Sequence, residues 1–105
     1  DEDDYFSMAT MFVQSNDWFY ATQDTGIPLY NGDNPISGDI TSSLFLYDSG
    51  TEGDEYPGAG LNQVIRQSAP DTGPADSDTN VRLVSNAPSI VPAANNVIKV
   101  TITPQ

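Results

Sequence analysis

The sequence predicts an all-β protein, an antiparallel β-sandwich, on three observations. No window of a dozen residues repeats its apolar positions at the helical period of 3.6 with caps at its ends. Apolar runs with alternate-residue spacing recur along the chain instead. Eight glycines and eight prolines fall between those runs, where turns are needed. The length, 105 residues, fits one domain over 1–105.

The elements follow in order. Asp1-Glu2-Asp3-Asp4 reads as an acidic tail (1–4). Tyr5–Val13 places Phe6, Met8, Thr10 and Phe12 on one face and Tyr5, Ala9, Met11 and Val13 on the other. Both faces are largely apolar, which predicts a central, well-covered strand. Trp18, Phe19 and Tyr20 read as core at the end of the sandwich, with the Trp and Tyr tips reaching water. Met8 and Met11 read as packing residues. Ile27–Tyr30 contains Pro28 and fits an edge strand or a loop. Ile40–Tyr47 and the shorter Val81–Val84 are further strands. Val97–Thr103 alternates cleanly, Ile98, Val100 and Ile102 facing inward, and Pro104 ends it. The region 53–80 is a long loop rich in glycine and proline, in which only Leu61–Arg66 has strand character, and 68–80 reads as a surface excursion.

Composition excludes several functions. The chain has no cysteine and no histidine. It therefore has no disulfide framework, thiolate nucleophile or zinc ribbon, and it lacks the commonest general base. Fifteen acidic side chains face only Arg66, Arg82 and Lys99, for a net charge of -12, so nucleic-acid phosphates would be repelled. No apolar run is long enough to span a membrane. No basic segment followed by an apolar one marks a signal peptide, which a mature secreted chain would have lost. A carboxylate pair acting as acid and base would suit a glycosidase, but the chain offers no broad cleft for a glycan, and a non-enzymatic role is expected.

Fifteen carboxylates repel one another unless hard cations neutralise them, salt screens them, or water solvates them at the surface. Two acidic segments stand apart from the tail because each directly follows a strand. Ser15-Asn16-Asp17 follows the first, and Asp48-Ser49-Gly50-Thr51-Glu52 follows the second, with Asp54 and Glu55 close behind. If the two strand ends meet, Asp17, Asp48 and Glu52 converge. Ca²⁺ suits such a set, since it takes six to eight oxygen ligands in a flexible geometry, whereas Mg²⁺ demands a tighter octahedron. Gly50 and Gly53 would let the second loop fold back on itself. The spacing is not that of an EF-hand. Asp at turn starts is the competing explanation for Asp17 and Asp48. The acids of the 71–78 stretch read as a solvated surface.

These residues resemble a spondin-type domain, the module named for the extracellular matrix protein F-spondin and found also in bacterial secreted proteins. The likeness rests on Ser7–Phe19, similar to the family's strand and its Asp-containing turn, on Leu46-Tyr47-Asp48-Ser49-Gly50-Thr51-Glu52, similar to its Asp-Ala-Gly-Thr-Asp/Glu loop, and on the closing strand Val97–Ile102. Ser49 stands where the family usually has Ala. The resemblance implies a C2-like β-sandwich of spondin type with a Ca²⁺ ion held at one end by Asp17, Asp48 and Glu52, with Asn16 and Asp54 matching less closely. It implies a secreted, extracellular role in matrix attachment or cell adhesion. The family's domain is longer, and the strands absent here would precede Asp1. An incomplete sandwich exposes strand edges that recruit another strand. The expected partners are therefore further copies of the chain, or another chain supplying strands, building an extracellular filament or matrix. The alternative from another class is a carbohydrate-binding accessory module that uses Trp18 and nearby tyrosines. A third reading takes the acidity as adaptation to salt alone.

Overall fold

The computed structural model describes residues 3–84 and 93–105. Among the described residues all ten strands are short and the only helical turns are two 3-10 segments, Thr41–Ser43 and Ala94–Asn96, so the all-β expectation holds. Among the described residues no helix is long and apolar enough to cross a membrane. The chain forms two compact units. One comprises 1–9, 21–45 and 92–105, and the other 10–20 and 46–91.

The first unit is assembled from two-stranded ribbons. β1 (Tyr5–Phe6) pairs antiparallel with β4 (Ile27–Pro28), in register Tyr5 opposite Pro28. β5 (Tyr30–Asn31) and β6 (Asn34–Pro35) form a hairpin. Its turn includes Gly32, at φ +58°. β7 (Gly38–Asp39) pairs with β10 (Thr101–Ile102). Pro28 lies at such a ribbon, as the edge reading of Ile27–Tyr30 requires.

Most residues of a four-stranded sheet belong to the second unit, in the order β2 (Ala9–Met11), β3 (Trp18–Ala21), β8 (Phe45–Asp48), β9 (Arg82–Leu83). β3 carries the core. Trp18 is 2% exposed and Tyr20 is buried on the same face, one strand period apart. The Tyr20 ring packs tilted on Phe12, centroids 5.8 Å apart. Phe19 points the other way and stacks on Tyr47 at 5.6 Å. Trp18 and Tyr20 are core residues, as expected, but the Trp18 indole does not reach water: its N–H donates to Asp54.

Four strand expectations are corrected. Tyr5–Val13 is not one central strand. It changes partner between Phe6 and Ala9, and its second half lies at a sheet edge with Met11 and Val13 exposed. Ile40–Tyr47 begins as a 3-10 turn, because the Asp39 carboxylate accepts the Thr41 N–H at 2.9 Å and the Thr41 hydroxyl accepts the Val100 N–H at 2.9 Å. Such local side-chain bonds draw Thr and Ser away from a strand ladder. Val97–Thr103 keeps its alternation, with Ile98, Val100 and Ile102 half-buried, yet only Thr101–Ile102 is paired. Leu61–Arg66 is a run of turns whose one fully buried side chain is the polar Gln63.

The interior is unusually polar. Among the described residues, six apolar ones are buried against eight polar or charged ones, including Ser15, Asn16, Asp17, Asp48 and Glu52. Burying such groups is tolerable only when each finds a partner, so the loops of the second unit must be organised around their polar atoms.

Candidate metal centre

The loop from β2 to β3 is closed by Ser15. Its N–H donates to the Phe12 carbonyl at 2.9 Å, its hydroxyl donates to the same oxygen at 2.6 Å, and that hydroxyl accepts the Trp18 N–H at 2.9 Å. Asn16 and Asp17 therefore sit at the apex of a loop whose two ends are tied together. The Asn16 amide donates to the Asn62 carbonyl at 3.2 Å, which brings the 61–67 turns against this apex.

The loop after β8 folds back on Asp48, whose Oδ1 accepts the Gly50 N–H at 2.7 Å. Gly50 has φ +73°, and a Cβ there would stand 2.7 Å from the Asp78 carbonyl oxygen and 2.9 Å from that of Asn80. Only glycine meets both requirements, the left-handed backbone and the close approach of the 78–80 chain.

These loops converge on Asp17, which is 9% exposed. Its Oδ2 accepts four hydrogen bonds: the Ser49 hydroxyl at 2.8 Å, the Thr51 N–H at 2.7 Å, the Thr51 hydroxyl at 2.8 Å and the Glu52 N–H at 2.9 Å. Its Oδ1 is buried and accepts none. One carboxylate oxygen is thus saturated and the other bare, although a buried acceptor without a partner costs about 1–3 kcal/mol and more when charged.

Oxygens of Asp17, Asp48 and Asp54 all lie within 4.8 Å of one another. Asp48 is 2% exposed, while Asp54 is the exposed member, with its Oδ1 on the Trp18 indole N–H. Burial, chiefly, pushes the Asp48 carboxyl above the usual carboxylate range, and the charges of Asp54 and Asp17 add to the effect, while the Gly50 N–H and Arg82 oppose it. Asp54 is raised in the same way, first by desolvation and then by Asp17 and Asp76. The disfavoured charged forms of Asp48 and Asp54 are what a bound cation would relieve. The donors are all hard oxygens, the set that Ca²⁺ prefers.

Of the three residues expected to hold the ion, the structure brings Asp17 and Asp48 together. Glu52 is buried nearby with its carboxylate turned to other work. Oε1 accepts the Gly73 N–H at 2.9 Å and Oε2 accepts the Gln67 amide at 2.5 Å. With the Glu52–Ala75 bridge and the Gly53 N–H on the Pro74 carbonyl at 2.7 Å, it ties the 67–75 chain to the site. Asp54 takes the third place in the trio. It was the looser match in sequence because two glycines in the 48–54 loop leave open which acid faces inward, and its tie to the Trp18 indole has no sequence signature. Glu55, also expected close by, accepts the Asn62 N–H and side-chain amide, both at 2.8 Å, and a side-chain hydrogen bond from Asn16.

The reading of 71–78 as solvated surface is corrected for Asp76. Its carboxylate is mostly buried and pairs with Arg82 at 2.6 Å. Arg82 also pairs with Asp48. The Asp-x-Asp-x-Asn-x-Arg spacing of 76–82 was the available signal for this arrangement.

Comparisons with protein-family models, curated proteins and solved structures return no match.

Proposed function

We propose that this chain is a non-catalytic, calcium-binding structural module in which the ion joins the β2–β3 loop to the loop after β8. The single observation that carries the reading is the bare, buried Oδ1 of Asp17 within a trio of carboxylates. A divalent ion among Asp17, Asp48 and Asp54 supplies that oxygen's missing partner and removes the mutual repulsion of the three charges. The spondin resemblance supports the same ion and extends the reading to a secreted adhesion or matrix role.

Assembly by strand sharing belongs to this proposal. β2 and β9 are the outer strands of the four-stranded sheet, and Met11, Val13, Val81 and Leu83 on or beside them are exposed. A second copy of the chain adding a strand there would bury them. The carbohydrate-binding alternative is not favoured, because Trp18 is buried with its indole N–H on Asp54 and offers no face to a sugar ring.

Native mass spectrometry with calcium titration calorimetry tests both parts. One calcium per chain in the native protein, none in Asp54→Asn, and a distribution of multimers are the expected results. Absence of calcium uptake would reject the ion, and a strictly monomeric species would reject strand sharing.

A further inference from the structure

Arg82 is directly opposite Asp48 in the β8–β9 register. Its guanidinium is ringed by oxygens. It pairs with Asp48 Oδ2 and with Asp76 Oδ2 at 2.6 Å, donates to the carbonyls of Asp78 at 2.6 Å and Asn80 at 3.2 Å, and lies 3.8 Å from Asp78 Oδ2. The other arginine is engaged elsewhere, on the carbonyls of Gly58 and Gly60. One carboxylate of the trio is therefore already shared with a cation that is part of the chain.

We propose that Arg82 is a tethered cation that competes with the divalent ion for Asp48 and so sets the affinity of the site, resting on the calcium reading above. Asp48 has one oxygen on the Gly50 N–H and the other on Arg82. To coordinate an ion it must loosen the guanidinium, and the two like-charged groups repel while they share it. Arginine does not deprotonate in proteins, so the competition cannot be switched off by pH. Its strength is set instead by Asp76 and Asp78, which draw the guanidinium away from Asp48. The arrangement holds the ion-free form together and keeps the site from being occupied at trace calcium. Ion uptake moves the guanidinium toward Asp76 and Asp78, so β9 and the 76–80 loop report occupancy at the edge of the sheet.

Calcium titration calorimetry on the intact native chain, Arg82→Gln, Asp76→Asn and the double variant tests this, with near-ultraviolet circular dichroism of Trp18 as the check of folding. Arg82→Gln should bind calcium about tenfold more tightly than the native chain. Asp76→Asn should bind it about threefold more weakly, because the guanidinium then rests on Asp48, and the Asp76 effect should vanish in the Arg82→Gln background. If the native chain binds calcium and Arg82→Gln binds it no more tightly, the inference falls and the calcium reading stands. If only Arg82→Gln binds, the inference stands and the native chain is not a calcium protein. If neither binds, both fall. Should Arg82→Gln not fold, Asp76→Asn decides alone: weaker binding supports the competition, and unchanged or tighter binding overturns it.

Discussion

Two acidic neighbourhoods of the second unit treat the same side chain in opposite ways. Asp48 and Asp54 are pushed above the usual carboxylate range, mainly by burial and then by their acidic neighbours. Asp76 and Asp78 are held below it, Asp76 first by its hydrogen bond from Arg82 and Asp78 first by those from Asn80. The difference is one of supply. In the 76–82 segment, N–H donors and a guanidinium outnumber the charges to be satisfied. Around Asp17 the donors converge on one oxygen and leave the other bare, with oxygens of Asp48 and Asp54 within 4.8 Å. A chain of net charge -12 with three cations cannot give every carboxylate a cationic partner, and among the described residues the buried carboxylate oxygen left without a hydrogen bond is that of Asp17.

Substitutions separate the two regions. The largest effect is expected at Gly50, which touches both. Gly50→Ala sets a Cβ against the backbone of Asp78 and Asn80 and forces a left-handed residue, so denaturant unfolding should show a loss of about 3 kcal/mol or more. Gly58→Ala, also at positive φ but with open space around it, should cost about 1 kcal/mol.

Next come the members of the trio, which the account divides. Asp17→Asn weakens the acceptor of four hydrogen bonds and should cost about 2–3 kcal/mol in the presence of chelator. Asp54→Asn keeps an acceptor for the Trp18 indole and removes a repelling charge, so in chelator it should be neutral or more stable than the native chain while losing its response to calcium. Equal destabilisation of the two variants in chelator would erase the distinction between tie and ligand.

Glu52→Gln should leave calcium affinity within about twofold, since Glu52 acts through Gly73 and Gln67, while limited proteolysis between 67 and 75 speeds up. A tenfold or greater loss of affinity would return Glu52 to the coordination set.

The smallest effect is on acid stability. The folded-state values of Asp76 and Asp78 lie below their unfolded ones, so their contribution is present above the ordinary carboxylate range and lost as pH falls through the lowered values. Asp39, held down by the Thr41 hydroxyl and N–H, behaves the same way in the first unit. Asp76→Asn should therefore lower stability at neutral pH, where that contribution is present, and approach the native chain at low pH, so that its loss of stability on acidification in chelator is flatter. An acid limb as steep as that of the native chain would contradict the pairing with Arg82.

What the sequence made legible follows from range. Period-two patterning is local, and the all-β class, the alternation at 97–103 and the burial of Trp18 were readable from it. Where each strand begins and ends was not, because bonds such as Asp39 to Thr41 or Thr41 to Val100 compete with the ladder across residues that no local pattern links. At the site, Asp17 and Asp48 were legible because each follows a strand. Asp54 and Arg82 depend on contacts across 36 and 34 residues, from Trp18 to Asp54 and from Asp48 to Arg82; the 76–82 spacing signals the local Asp76–Arg82 pair, but neither segment alone announces the long-range contacts.

Thermal unfolding of the native chain in calcium and in chelator tests the central claim most directly. At calcium about a hundredfold above its dissociation constant, binding to the folded state adds about 2.7 kcal/mol, and for a domain of this size the midpoint should rise on the order of 10 °C. A midpoint that is the same in calcium and chelator would contradict the account, because the bare Asp17 oxygen would then have no ion to answer it.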